Sequence, residues 1–251
     1  METTVTPEEV TEYLRGSDSS SFKGILDYFH ERYPNEEVWP PGTVLPDRLK
    51  YLSLGGSTLS PGTVLPKGLE YLNLGGGSLP SGTILPKGLR YLYLEGSTLP
   101  PGTVLPEWLK CFYLEGSTLP PGTILPDRLT HLSLEGGTLP PGTVLPEELI
   151  DLYLGGGTLP PGTILPNGLK HLYLGGTLPP GTVLPDGLKY LDLGGDTLLS
   201  GTVLPQGLQS LYLGGGTLLS GTVLPQGLQY LYLDGGILPP GIKIPSKTRV
   251  I

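Results

Sequence analysis

Three residues in this chain have types and a spacing suited to chemistry: His131, Asp151 and His171, each twenty residues from the next. Two imidazoles and a carboxylate suit a zinc ion or an acid and base pair, and Glu135 lies nearby in the sequence. If twenty residues make one turn of a repeating fold, the three stack on adjacent strands. His131 and His171 would then be roughly 10 Å apart, two strand spacings, and a shared metal would need both rings to lean over Asp151. The plainer reading is a polar centre in a binding face; no metal, cofactor or catalysis is expected there. The sequence has no nucleophile elbow, phosphate-cradling glycine motif or Cys/His metal spacing. Cys111 falls on a strand of the same series, where it stands in for a tyrosine.

The twenty-residue interval belongs to a unit that runs through most of the chain. Counted from its first leucine it reads L-x-x-L-x-L-x-x-(S/G)-T-L-P-P-G-T-(V/I)-L-P-x-G, seen cleanly from Leu89 to Trp108. Copies start at Leu49, Leu69, Leu89, Leu109, Leu129, Leu149, Leu169, Leu188, Leu208 and Leu228, with one residue missing after Gly176. A fixed period of this length signals a solenoid. Within LxxLxL the last two leucines alternate with one exposed residue, the period of a short strand with one buried face. The remainder holds too much proline and glycine for a helix, so the return should be extended or polyproline-like, with tight turns. Successive strands should pair in parallel, because no single unit can bury its own leucines.

LxxLxL followed by leucine five residues later resembles the conserved segment of a leucine-rich repeat. The twenty-residue length with the later LP resembles the short repeats of secreted bacterial effectors. PxGTVLP followed by LPxGLxYLxLG resembles the FNIP repeats of amoebae and giant viruses, here two residues shorter. The resemblance covers about Pro41 to Ile251 and implies a leucine-rich-repeat horseshoe with its parallel sheet on the concave face. The usual repeat asparagine is replaced by Ser97, Ser117, Gly137, Gly157 or Asp196. The neighbouring Thr98, Thr118, Thr138 and Thr158 hydroxyls are expected to satisfy buried backbone groups in its place.

Three regions follow: a helical cap over residues 1–40, a ten-unit array over 41–240 and a partial repeat over 241–251. In the cap, Thr6, Pro7 and Glu9 form a helix start. Phe22, Ile25, Leu26, Phe29 and Tyr33 fall at helical spacing in a second helix that ends at Pro34. These helices should cover the open apolar end of the first strand, and addressing the protein to a partner is their other reading. At the far end Thr248 replaces the unit's first leucine, as in a minimal terminal cap.

The formal net charge is −8, but residues 1–40 hold nine acids against three bases, so the array is nearly neutral. With no basic stripe, nucleic-acid binding is not expected. The chain has one cysteine, which excludes an internal disulfide framework and fits a reducing compartment. Residues 1–14 are acidic and polar, and no apolar run has membrane length, so a cytoplasmic monomer without membrane contact is expected, or export by a leaderless route.

Positions three and five of each unit face the concave side, and turn-to-turn variation is concentrated there. The contacts expected to hold a protein partner are Tyr91, Tyr93, Tyr113, His131, Asp151, Tyr153, His171 and Tyr173. Tyrosine gives large contact area with few rotatable bonds; stacked tyrosines may equally be read as cross-strand ladders that stabilise the sheet. Glu95, Glu115 and Glu135 make a small acidic strip along one rim. On the return side, ten threonines from Thr43 to Thr222, each followed by Val or Ile, form an unbroken column. Such ladders resemble those of ice-binding proteins, which gives the alternative reading: ice binding or a purely structural array.

Overall fold

The computed structural model describes residues 44–251 apart from 55–57, 196–197, 199–200 and 237. The helical cap expected over residues 1–40 and Asp196 lie outside the described residues. Ten strands of three residues recur once per unit: β1 Tyr51–Ser53, β2 Tyr71–Asn73, β3 Tyr91–Tyr93, β4 Cys111–Tyr113, β5 His131–Ser133, β6 Asp151–Tyr153, β7 His171–Tyr173, β8 Tyr190–Asp192, β9 Ser210–Tyr212 and β10 Tyr230–Tyr232. A two-residue β11, Arg249–Val250, follows. They form one sheet in chain order, every pair parallel. Equivalent positions lie side by side, so Cys111, His131, Asp151, His171 and Tyr190 make one row across the sheet.

The leucines at positions 1, 4, 6, 11 and 17 of each unit fill the interior, with Phe112 in place of one of them. A proline follows each position-17 leucine, and those from Pro66 to Pro225 are buried too. Both are carried by an extended return, where a proline without an N–H costs no ladder bond. The return turns through Pro-Pro-Gly-Thr: Thr103 N donates to Pro100 O at 3.1 Å, with Gly102 at φ 79°. This is a type II turn, with proline at its second position and glycine supplying the positive φ at its third. The glycine at position 20 has no such duty, since Arg48, Trp108, Arg128 and Glu148 occupy it without positive φ.

The missing asparagine is replaced differently from the sequence expectation. Thr98, Thr118, Thr138 and Thr158 are exposed, and none bonds a buried backbone group among the described residues; Thr118 and Thr138 lie hydroxyl to hydroxyl at 3.4 Å. Position 9 closes the turn instead. Gly77 N donates to Leu74 O at 2.7 Å and Ser97 N to Leu94 O at 2.9 Å. The Ser97 hydroxyl then donates to Gly77 O of the preceding turn. A Cβ at Gly137 or Gly157 would run into the position-9 carbonyl of the turn before. Backbone therefore passes so close to backbone that, among the described residues, glycine or serine stands where an asparagine ladder would be.

At the last turn, Thr248 Oγ1 donates to Leu228 O at 2.8 Å. The polar replacement of the unit's first leucine thus ties the final rung to its neighbour. Among the described residues no helix is long and apolar enough to cross a membrane.

Candidate functional site

Strand alternation sends position 4 into the leucine core and positions 3 and 5 to the outer face of the sheet. All eight expected contact residues therefore share that face, in three groups. Tyr91, Tyr93 and Tyr113 gather with Tyr71: Tyr93 and Tyr113 stack at 4.6 Å and 8°, and Tyr71 lies 5.2 Å from Tyr93. Tyr153 and Tyr173 stack at 4.1 Å and 12°, with Tyr190 at 4.6 Å from Tyr173. Between the two aromatic groups lies the polar centre, and buried Ser133 occupies the position-5 row there. Tyr71 and Tyr190 were outside the expected contact set although they stand in the same columns; column membership was the signal that finds them.

At the centre, both imidazoles do lean on Asp151. His131 Nε2 is 2.7 Å from Asp151 Oδ2, and His171 Nδ1 meets Oδ1. Asp151 is buried, only 7% exposed, so its charge needs these partners. Thr130, missed by the sequence reading, completes the network: its hydroxyl lies 3.0 Å from Lys110 O and 2.8 Å from His131 Nδ1. Thr130 has one proton, and the Lys110 carbonyl can only accept it. The Thr130 oxygen is left to accept from Nδ1 of His131, while Nε2 faces the carboxylate. His171 spends Nδ1 on Asp151, and its side chain is 41% exposed.

This arrangement is poorly set up for nucleophilic chemistry. Cys111 is next to His131 in the row, giving a Cys, His, Asp order across β4 to β6. However, both ring nitrogens of His131 are engaged, so none can take the thiol proton. Burial pushes the Cys111 thiol up, more than Lys110 pulls it down, and Asp151 adds to the rise. With both oxygens of Asp151 on imidazoles, a metal would have to break that network to bind.

The tyrosine ladders carry a measurable signature. Tyr93, desolvated by partial burial and crowded by Tyr113, Cys111 and Tyr71, is pushed from its ordinary 10.0 to about 12. Tyr190, desolvated and beside Asp192, also rises to about 12. Burial and a hydrogen bond with Tyr173 raise Tyr153 as well. Unfolded phenols lose their proton near 10, so between 10 and 12 the folded chain binds more protons and its stability falls as pH rises. That stabilisation is fully present below pH 10. An ultraviolet phenolate titration is expected to show tyrosines that ionise well above pH 10; a titration complete near pH 10 would contradict the packed ladders.

Along the rim, partial burial and then the charges of Glu95 and Glu135 raise the carboxyl of Glu115. On the return side, eight of the turn threonines, among the described residues, spend their proton locally. Thr83, Thr103, Thr123, Thr143 and Thr163 each donate Oγ1 to the carbonyl three residues back at 2.7 Å. The Val or Ile that follows points out into solvent.

The chain matches no family model and no curated protein. It does match solved structures. The leucine-rich effector protein YopM from Yersinia pestis superposes with a TM-score of 0.58 at 20% identity, covering 97% of this chain and 74% of that one. The fold is a leucine-rich-repeat solenoid. YopM from Yersinia enterocolitica WA-314 gives 0.51 at 24% identity over 86% of this chain. This chain spans 56% of the length of that protein. The leucine-rich-repeat resemblance and the parallel sheet read from the sequence are thus both present, while the likeness to FNIP repeats rests on the motif alone.

Proposed function

We propose that this chain is a non-enzymatic scaffold that holds a protein partner across the strand face of its leucine-rich-repeat sheet. Tyr91, Tyr93, Tyr113, His131, Asp151, Tyr153, His171 and Tyr173 are the central contacts. The observation that carries this reading is the coincidence of two stacked tyrosine groups and a His–Asp–His centre on one face of the sheet. Rigid, pre-stacked aromatics lose little entropy on binding, and the partly exposed His171 ring adds a polar group beside them. The Yersinia pestis protein is an effector, and a role of that kind suits this scaffold. Cys111 held as a thiol supports a cytoplasmic placement, or export by a leaderless route. Ice binding through the threonine column has less support, because eight of its hydroxyl protons, among the described residues, are already donated within their own turns.

The test compares the native chain with a variant carrying Tyr93, Tyr113, Tyr153 and Tyr173 as alanine, shown by circular dichroism to be folded. A partner captured and identified with the native chain should bind the variant at least about 30-fold more weakly, as expected when central aromatic anchors are lost. Equal affinity for the two would move the site off the strand face.

A further inference from the structure

The return face carries a feature the strand-face reading does not use. From Val64 to Val223 one Val or Ile per turn stands 76–84% exposed, in an unbroken column. At roughly 60–120 Å² of apolar surface per residue, nine rungs present about 500–1,000 Å². That reaches or exceeds the largest apolar patch typical of a soluble monomer.

We infer that two copies of this chain pair antiparallel through this column. The rungs repeat at the strand spacing of about 4.8 Å, and grooves open between successive turns beside them. Ile84 and Val104 line one of 780 Å³, Val104 and Ile124 one of 590 Å³, and Ile124 and Val144 one of 360 Å³. Covering such a face rung for rung needs aliphatic side chains of the same pitch. A second copy has that pitch by construction.

Charge selects the orientation. Lys67, Lys87, Glu107, Asp127 and Glu147 occupy one position in five successive turns, beside the rungs, and none forms an ion pair within the chain among the described residues. The order is two bases followed by three acids. A two-fold axis along the array would place these columns on opposite sides of the interface. A lateral axis at the Glu107 turn makes the copies antiparallel and sets the columns face to face. Lys67 then meets Glu147 of the other copy, Lys87 meets Asp127, and symmetry repeats both pairs. Glu107, near the axis, keeps Arg128 beside it in the same groove, where that guanidinium lies 4.1 Å over Trp108.

Sedimentation velocity on the full chain over a wide concentration range is expected to show a reversible dimer. V104D/I124D, which alters only exposed side chains, should be monomeric with unchanged circular dichroism. K67E/K87E and D127K/E147K should each weaken the dimer roughly tenfold or more, and an equal mixture of the two should recover it. The charge variants keep the question decidable if the aspartate variant fails to fold. A wild type monomeric at every concentration overturns the pairing, whatever else the column then binds. So does a dimer that survives V104D/I124D, or a mixture no tighter than its components, which would mean a different orientation.

Discussion

Leu132→Ala is expected to lower the unfolding free energy by about 2–5 kcal/mol, the range for a buried leucine cut to alanine. Leu132 is 0% exposed and sits in register between Phe112 and Leu152, so the cavity would open against both neighbouring turns. The cost is also placed where it matters most. Each turn contacts only the turns beside it, so stability is a sum of nearest-neighbour couplings, and a weak turn in the middle uncouples two blocks. Denaturant unfolding should therefore change from one transition to two, the blocks on either side melting separately. Val203→Ala is the control: its side chain is 81% exposed, and a change within about 0.5 kcal/mol is expected. Equal effects of the two substitutions would contradict the division of each unit into inward leucine and outward aliphatic. A single transition with the full loss of stability would instead show coupling that reaches beyond adjacent turns.

That division marks what the sequence could and could not tell. Strand positions were legible because LxxLxL holds its period through ten copies, and each of β1 to β10 begins at the third position of its unit. The type II turns were legible in kind, since Pro-Gly ahead of threonine has one economical conformation. The closing of the first turn was not. Asparagine's absence suggested a hydroxyl substitute, and the threonines stood next to the gap. The fit at position 9 depends instead on how near the preceding carbonyl passes, a distance that no residue pattern states. At the site, the row of His131, Asp151 and His171 followed from the period alone. The leaning of both rings onto one carboxylate depends on side-chain torsions, and the part of Thr130 depends on a proton inventory.

That network gives the second large effect. Replacing His131 and His171 together with alanine is expected to cost toward the lower end of about 3–5 kcal/mol, because it strands a buried carboxylate. The lower end applies because the two rings are 36% and 41% exposed, and their removal lets water approach Asp151. Adding Asp151→Ser should restore most of the loss, since Ser210 already occupies the same row two turns beyond His171 with no ionic partner. The sign of that third change discriminates. If the histidines contribute mainly as packing on the sheet, the triple variant will be no more stable than the double. If they serve to neutralise Asp151, removing the charge must recover what removing its partners lost. Chemical denaturation of the native, double and triple variants at neutral pH reads the difference directly, and the double variant at moderately acid pH adds an independent check. There, protonating the stranded carboxyl removes its buried charge, so the gap from the triple variant should narrow.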